Sequence, residues 1–379
     1  MRPGRPPRII AEIGTAHGGD FSKAAELIHA AAEAGADVAK FQAVIADEIV
    51  HPEAGEITLP GGAARIYNRF KALEQPAEFY ARLQQRCVED GLEFLCTPFG
   101  IDSARLLSEL RVREYKVASP ELNHLPLLRY LGGTGLPLIL STGVSTLADI
   151  ELALATVSEA GAGAVTLLHC VTAYPAPAEE YNLSLLPHLS GIFGVDIGIS
   201  DHSEDPELVP GLATLFGATV IEKHITLSKQ GKGLDDAIAL EPDDFRRMAG
   251  TAASVAYLIA AGASRRTVLE EFEQSYGRDK VSAVLGDGRK RLAPAEANNY
   301  RRTNRSLIAL RALEAGERLT ASMVAPLRSE QNVEPGLHPQ FLERILGGRL
   351  AAAVTGGSGL RWEHLLDTDR YKHRLGTDQ

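Results

Sequence analysis

Short apolar runs alternate with longer amphipathic ones along the first two thirds of the chain. Arg8–Ile13, Asp37–Phe41, Leu92–Cys96, Arg113–Ala118, Leu136–Ser141, Ala164–Cys170, Gly194–Ser200 and Ala218–Ile225 have the length and β-branched content of buried strands. Between them lie patterns of helical period: Phe21–Gly35, Pro76–Gly91, a short helix near Pro126–Leu131, Thr146–Gly161, Pro206–Gly217 and Pro242–Gly262. Pro76–Gly91 opens on proline and closes on glycine, the usual punctuation of a helix. The stretch after Phe41 reads as an irregular insertion to about Leu59.

Eight strands, each followed by a helix or crossover, predict an α/β fold of the (β/α)8 TIM-barrel class. The alternative, an open doubly wound sheet, expects a dinucleotide fingerprint after its first strand. "EIGTAHGGD" lacks that glycine spacing. The rhythm stops after Gly262. The charged, Asn- and Pro-containing "GDGRKRLAPAEANNYRR" reads as a linker, and brief strand and turn patterns follow. The predicted organisation is a barrel over residues 1–285, a linker over 286–302, a small α+β domain over 303–366 and a polar tail over 367–379.

Composition narrows the class. The chain has 379 residues, 49 acidic and 39 basic, with a formal net charge of -10. That balance disfavours nucleic acid as a partner. The three cysteines, Cys87, Cys96 and Cys170, form neither a disulfide framework nor a thiolate metal motif. No stretch has the length of a membrane span, and the N-terminus lacks the apolar run of a signal peptide, so a cytoplasmic protein is expected.

Barrel enzymes carry their chemistry at the C-terminal ends of the strands. Those ends supply Glu12, Lys40 and Gln42, Thr97, Lys116 with Ser119 and Glu121, Ser141, Tyr174, Ser200 with His202, and Glu222, Lys223 and His224. Singly, each has an ordinary explanation as a cap, a surface charge or a satisfied buried acid. Together they point to a polar pocket. Lys40, Lys116 and Lys223, with the hydroxyls of Thr97, Ser119, Ser141 and Ser200, would cradle a phosphate or carboxylate. His202 and His224, on neighbouring strands, suit a divalent ion such as Mn, Fe, Co or Zn.

In chain order the motifs "EIGTAHGG", "KFQ", "TPF", "KVAS", "STG", "LHC", "YPAP", "SDHS" and "EKH" resemble the signatures of the sialic acid synthase family, across almost the whole chain. Residues 303–366 resemble its C-terminal antifreeze-like, or SAF, domain. The resemblance implies condensation of phosphoenolpyruvate with the open-chain aldehyde of an N-acylated hexosamine, with release of phosphate. It implies a divalent metal, Mn first and Mg, Co or Zn after it, on His202 and His224. Around phosphoenolpyruvate it places Thr97, Lys116, Ser119, Ser141, Ser200 and Lys223, beside the Lys40 of the cradle. Glu12, Glu121, Tyr174 and Asp235 are implied at the reacting centre or acceptor, with Gln42 and Asp236 on the acceptor side. It further implies a domain-swapped homodimer in which Arg305 completes a partner's pocket.

The sequence also departs from the family. Ala16 stands for an asparagine, Ala173 precedes the tyrosine, Asp236 stands for a histidine and Ala239 for a serine, while "LRSEQNVEPGLHP" replaces a basic motif of the small domain. These changes sit on the acceptor side, as in branches assigned to spore-coat or surface polysaccharides. Two other classes compete: an aldolase using Lys116 or Lys223 as a Schiff base, and a non-catalytic carbohydrate-binding protein.

Overall fold

A computed structural model describes residues 5–59, 62–231, 233, 235–330 and 333–365, so the predicted tail lies outside the described residues. Eight parallel strands make one sheet: β1 (Arg8–Gly14), β2 (Val38–Ala43), β3 (Glu93–Pro98), β4 (Tyr115–Val117), β5 (Leu138–Ser141), β6 (Val165–Cys170), β7 (Asp196–Asp201) and β8 (Val220–His224). Their order, β3-β2-β1-β8-β7-β6-β5-β4, is the chain order run round a ring, and β3 packs beside β4 where the ring closes. This is the predicted (β/α)8 barrel.

The helices form for local reasons and pack for tertiary ones. Phe21–Glu33 starts where the Asp20 carboxylate accepts the amides of Ser22 and Lys23, and it buries Ala24, Leu27, Ile28 and Ala31, one helical stripe. Leu147–Ala160 starts on a Thr146/Asp149 capping box and stops at Gly161, whose φ of 96° an L side chain rarely adopts. The sequence pattern missed Ile101–Glu109, Leu186–Phe193 and, beyond Gly262, Arg265–Tyr276 and Arg278–Leu285. The third of these buries only Val268 and Phe272, too thin a stripe to read as amphipathic. The insertion after β2 holds a small hairpin, Glu56–Leu59 with Gly62–Arg65, and a helix, Ile66–Lys71. No helix among the described residues is long and apolar enough to cross a membrane.

Strand alternation sets the inside of the barrel. Ile10, Val38, Leu95, Ile139, Leu168 and Val220 form one buried apolar layer. Two residues further along each strand come Glu12, Lys40, Thr97, Ser141, Cys170 and Glu222, the next inward layer. The apolar layer is therefore the floor of the site, and the polar layer lies on it.

The small domain pairs β9 (Arg305–Ala309) with antiparallel β10 (Val324–Arg328) and has its own core around Leu307, Leu319, Val354 and Leu360. The linker is a bonded strap. Lys290 donates to the Thr142 carbonyl, and the buried Glu296 accepts the amides of Val144 and Thr172. The strap brings the small domain onto the barrel of its own chain. There β10 continues to the β2 insertion through a parallel bridge between Val50 and Arg328.

Candidate active site

The inward layer is a buried lattice of charge. Lys40 Nζ lies 2.6 Å from Glu12 Oε2 and 3.5 Å from Glu222 Oε2, and Gln42 donates to Glu12 Oε1 at 2.7 Å. Lys116 Nζ donates to Ser141 Oγ at 2.6 Å and stands 3.6 Å from Glu222 Oε2, while Ser200 donates to Glu222 Oε1 at 2.9 Å. Burial opposes the charge of Lys40, but Glu12 and Glu222 outweigh it and raise its pKa. Burial also opposes ionisation of Glu222; the two lysines and the Ser200 hydroxyl overcome it and hold the carboxyl down at about 2. Lys116 differs. Burial dominates and lowers its pKa, with Glu222 offsetting only part and Lys40 adding repulsion. Lys116 is the cation whose charge the protein leaves incompletely compensated.

The hydroxyls differ in the same way. Thr97 Oγ1 is buried without a hydrogen-bond partner among the described residues. Ser119 Oγ accepts the Gly143 amide at 3.0 Å. A Cβ on Gly143 would meet Ser119 Oγ at 2.9 Å and Cys170 Sγ at 3.1 Å, so only glycine lets these groups converge. Gly14, with φ of 55°, likewise lets Glu12 and Gln42 meet, since a Cβ there would lie 3.1 Å from Glu12 Oε1.

His202 and His224 face each other with ring centroids 5.5 Å apart. His202 Nδ1 must donate, because its partner at 2.9 Å is the Val171 carbonyl; burial opposes its charge, but Cys170 and that carbonyl outweigh it and raise its pKa to about 9, so a metal at Nε2 would have to displace a proton. Burial lowers the pKa of His224, which favours the neutral, ligating form. The pair fits a divalent ion held on two imidazoles. No third Cys, Asp, Glu or His among the described residues completes a ligand cluster, so water or substrate oxygen would fill the other positions. The Tyr174 ring, 52% exposed, lies 4.3 Å from His202, and Asp235 Oδ2 lies 3.7 Å from His224 Nδ1.

Three of the expected site residues stand elsewhere. Lys223 is one residue out of phase with Glu222 and His224, so alternation turns it away from the lattice. Its Nζ pairs with Asp201 at 2.7 Å and with the Ser203 carbonyl, a buried lock between β8 and β7. Asp236 is consumed by its own loop, taking the Thr226 hydroxyl at 2.9 Å and the Gly233 amide at 2.6 Å. A carboxylate with both oxygens engaged in this way stiffens the loop and leaves the adjacent Asp235 to face His224. Arg305, expected in a partner's pocket, reaches the barrel of its own chain. It donates to Glu121 Oε1 at 2.9 Å, to Phe99 O at 2.8 Å and to the carbonyls of Glu48, Ile49 and Pro326. The sequence reading put Glu222 among the polar strand ends without giving it a separate task, and did not single out Arg328. The two-residue period joining Val220, Glu222 and His224 would have set the first apart from Lys223. The second needed the domain contact, since Arg328 meets Glu121 from the far end of β10. A cleft lined by Asp149, Tyr300, Arg301 and His338 at the seam shares only Arg305 with these residues.

Comparison with known proteins shows the family and the fold. The model of the NeuB family matches residues 27–263, and that of the SAF domain matches residues 304–366. The chain is 34% identical to the spore coat polysaccharide biosynthesis protein SpsE of Bacillus subtilis, over 97% of this chain and 96% of that one. The crystal structure of that protein superposes with a TM-score of 0.79, covering 96% of this chain and 97% of the other. The N,N'-diacetyllegionaminic acid synthase of Legionella pneumophila is 32% identical over 94% of both chains.

Proposed function

The chain belongs to the NeuB family, and from that premise we propose that it condenses phosphoenolpyruvate with the open-chain aldehyde of an N-acylated hexosamine or related aldose, forming a nonulosonate and releasing phosphate. The observation that carries this reading is the incomplete compensation of Lys116 beside the partnerless hydroxyl of Thr97, on the same barrel floor as two facing imidazoles. An anion is what such a place lacks. Lys40, Lys116, Ser141, Ser200 and Thr97 would hold the phosphate and carboxylate of phosphoenolpyruvate, and Ser119 would close the cradle from the β4 loop.

A divalent ion, Mn first and Mg, Co or Zn after it, would be held by His202 and His224 and would polarise the acceptor's carbonyl oxygen. The chain's own groups do the rest. Tyr174 covers the imidazoles. Asp235, Gln42 and Glu12 line the acceptor side, where Asp235 and Glu12 accept hydroxyl hydrogens and Gln42 donates its amide. The methylene carbon of phosphoenolpyruvate would bond to the aldehyde carbon, water would add at the carbon bearing the phosphate and phosphate would leave from it, with Glu12 or Asp235 taking the proton of the water. The test is phosphate release with product mass across a panel of aldoses. N-acetylmannosamine is expected to be a poor acceptor, because Ala16 and Ala239 remove polar contacts. Highest efficiency with N-acetylmannosamine would overturn the acceptor assignment, and no phosphate release with any aldose would overturn the reaction.

A second reading has one observation in its favour. The lowered pKa of Lys116 also suits a Schiff-base aldolase. Borohydride trapping with substrate separates the two, since only the aldolase leaves a covalent adduct on Lys116.

A further inference from the structure

The turn beside the anion cradle is held from the linker. After β5 the chain runs Thr142, Gly143, Val144 and Ser145. Gly143 donates its amide to Ser119 Oγ at 3.0 Å, which spends a lone pair of Ser119 and not its hydrogen. A Cβ on Gly143 would strike Thr172 Oγ1, so the loop after β6 closes on the same point. Val144 has a φ of 42°, a left-handed conformation that a β-branched residue keeps only when its surroundings hold it there. Three side chains between residues 290 and 304 provide that hold. Lys290 Nζ donates to the Thr142 carbonyl at 3.2 Å, Asn304 Nδ2 donates to the Val144 carbonyl at 3.2 Å, and Glu296 Oε2 accepts the Val144 amide at 2.9 Å. The same oxygen accepts the Thr172 amide at 2.8 Å, two residues before Tyr174, the ring over His202. Glu296 Oε1 takes the Ala293 amide at 3.3 Å, a longer bond within the linker. Glu296 and Val144 are buried, so the Val144 amide has no solvent to fall back on. The other side of the Ser119–Gly143 contact is tied in the same way, because Glu121, two residues beyond Ser119, accepts Arg305.

We propose that Glu296 is a positioning residue for the condensation: its Oε2 clamps the Val144 and Thr172 amides together, which sets the Gly143 amide on Ser119 and so aims the Ser119 hydroxyl at phosphoenolpyruvate. This rests on the synthase reading above and extends it to the linker, which then does more than join two domains. No bond of the reaction forms or breaks at Glu296; it acts through Gly143 and Ser119, and the anion cradle is complete only while the linker is seated. A small displacement of a group that orients a substrate is enough to be read in kinetics. A carboxylate that merely anchored the linker would contribute to stability alone.

The experiment compares wild type, Glu296→Ala and Glu296→Gln in the full chain, at a temperature where circular dichroism shows all three folded. Phosphoenolpyruvate is titrated calorimetrically, and phosphate release is followed with the aldose panel. Glutamine keeps one oxygen for the Val144 and Thr172 amides and loses only the longer Ala293 bond, whereas alanine loses all three. Glu296→Ala is expected to weaken phosphoenolpyruvate binding about tenfold or more, the worth of one hydrogen bond to a charged ligand, and to raise its KM by the same factor. Glu296→Gln should recover most of that loss. If Glu296→Ala does not fold, Glu296→Gln is compared with Glu296→Asp, whose carboxylate is one methylene short of the two amides and should show the loss instead. A lowered melting temperature with unchanged phosphoenolpyruvate affinity overturns the proposal, and so does a loss in Glu296→Gln as large as in Glu296→Ala. Failure of the wild type to release phosphate with any aldose overturns the synthase reading instead, and the titrations with phosphoenolpyruvate then decide Glu296 by themselves. A wild type that binds no phosphoenolpyruvate overturns the cradle and the proposal with it.

Discussion

Two clusters of buried charge meet at the top of this barrel, and they are built to opposite ends. In the barrel, Lys40 and Lys116 face Glu12 and Glu222, yet Lys116 is left short of compensation and Thr97 short of a partner. At the seam with the small domain, Arg305 has every terminal nitrogen engaged. The first cluster leaves a cation and a hydroxyl for the anion proposed above. The second engages both terminal nitrogens of Arg305 and holds two domains together, although Arg305 Nε and Glu121 Oε2 have no hydrogen-bond partner among the described residues. A buried ion pair is weak evidence for stability, but removing one partner is strongly destabilising. The contrast therefore predicts which substitutions strike activity and which strike the fold.

The largest effect is expected at the imidazoles. His202→Ala, or exhaustive chelation of the wild type, should lower turnover by about a thousandfold, since charge stabilisation worth several kcal/mol disappears. Calorimetric titration with Mn should show a site in the wild type that is missing in His202→Ala. Full activity after chelation would remove the metal from the mechanism.

The lysines provide the sharpest internal comparison, because Lys116 and Lys223 differ by their side of the sheet. Lys116→Met should weaken phosphoenolpyruvate binding more than about tenfold, measured calorimetrically. Lys223→Met should leave that affinity intact but destabilise the fold by about 3–5 kcal/mol, because it strands Asp201. Denaturant titration measures the second effect. A reversal, with Lys223 governing affinity, would return it to the anion cradle.

The barrel and its strand ends were legible because period and punctuation are local. The eight strands and the capped, wide-striped helices stood out. Arg265–Tyr276 did not, because a helix that buries two side chains has almost no apolar signature. Within the site, legibility followed whether parity was respected. Glu12, Lys40, Thr97 and Ser141 lie on one face by the two-residue period, whereas adjacent Glu222, Lys223 and His224 cannot all do so. Asp236 and Arg328 were illegible for another reason. A loop carboxylate closing on Gly233, and an arginine meeting Glu121 across 207 residues, depend on contacts that no local pattern encodes.

A smaller effect tests the seam. If Arg305 pins the small domain within its own chain, as its pairing with Glu121 has it, mixing His202→Ala with Arg305→Ala should restore no activity. Recovery after demonstrated subunit exchange would show instead that the arginine of one subunit serves the barrel of another, and the seam would then be an interface between subunits.

The smallest effect is a slope. Glu222 titrates at about 2 in the folded protein against an ordinary 4.5. A depressed carboxylate contributes stability that is complete above its unfolded value and is lost as pH falls from about 4.5 through about 2. In that window the unfolded chain binds a proton that the folded barrel refuses, so wild-type stability should decline with acid by up to about 1.4 kcal/mol per pH unit on account of Glu222. Glu222→Gln cannot take up that proton and should show a correspondingly flatter decline. It will also be less stable at every pH, because Lys116 loses its nearest carboxylate, and for that reason the slope and not the midpoint carries the test. Denaturant melts from pH 5 to pH 3 on both proteins give the two slopes. Parallel slopes would mean that Glu222 is not held ionised by the lysines, and the account of a paired lattice in which Lys116 is incompletely compensated would have to be abandoned.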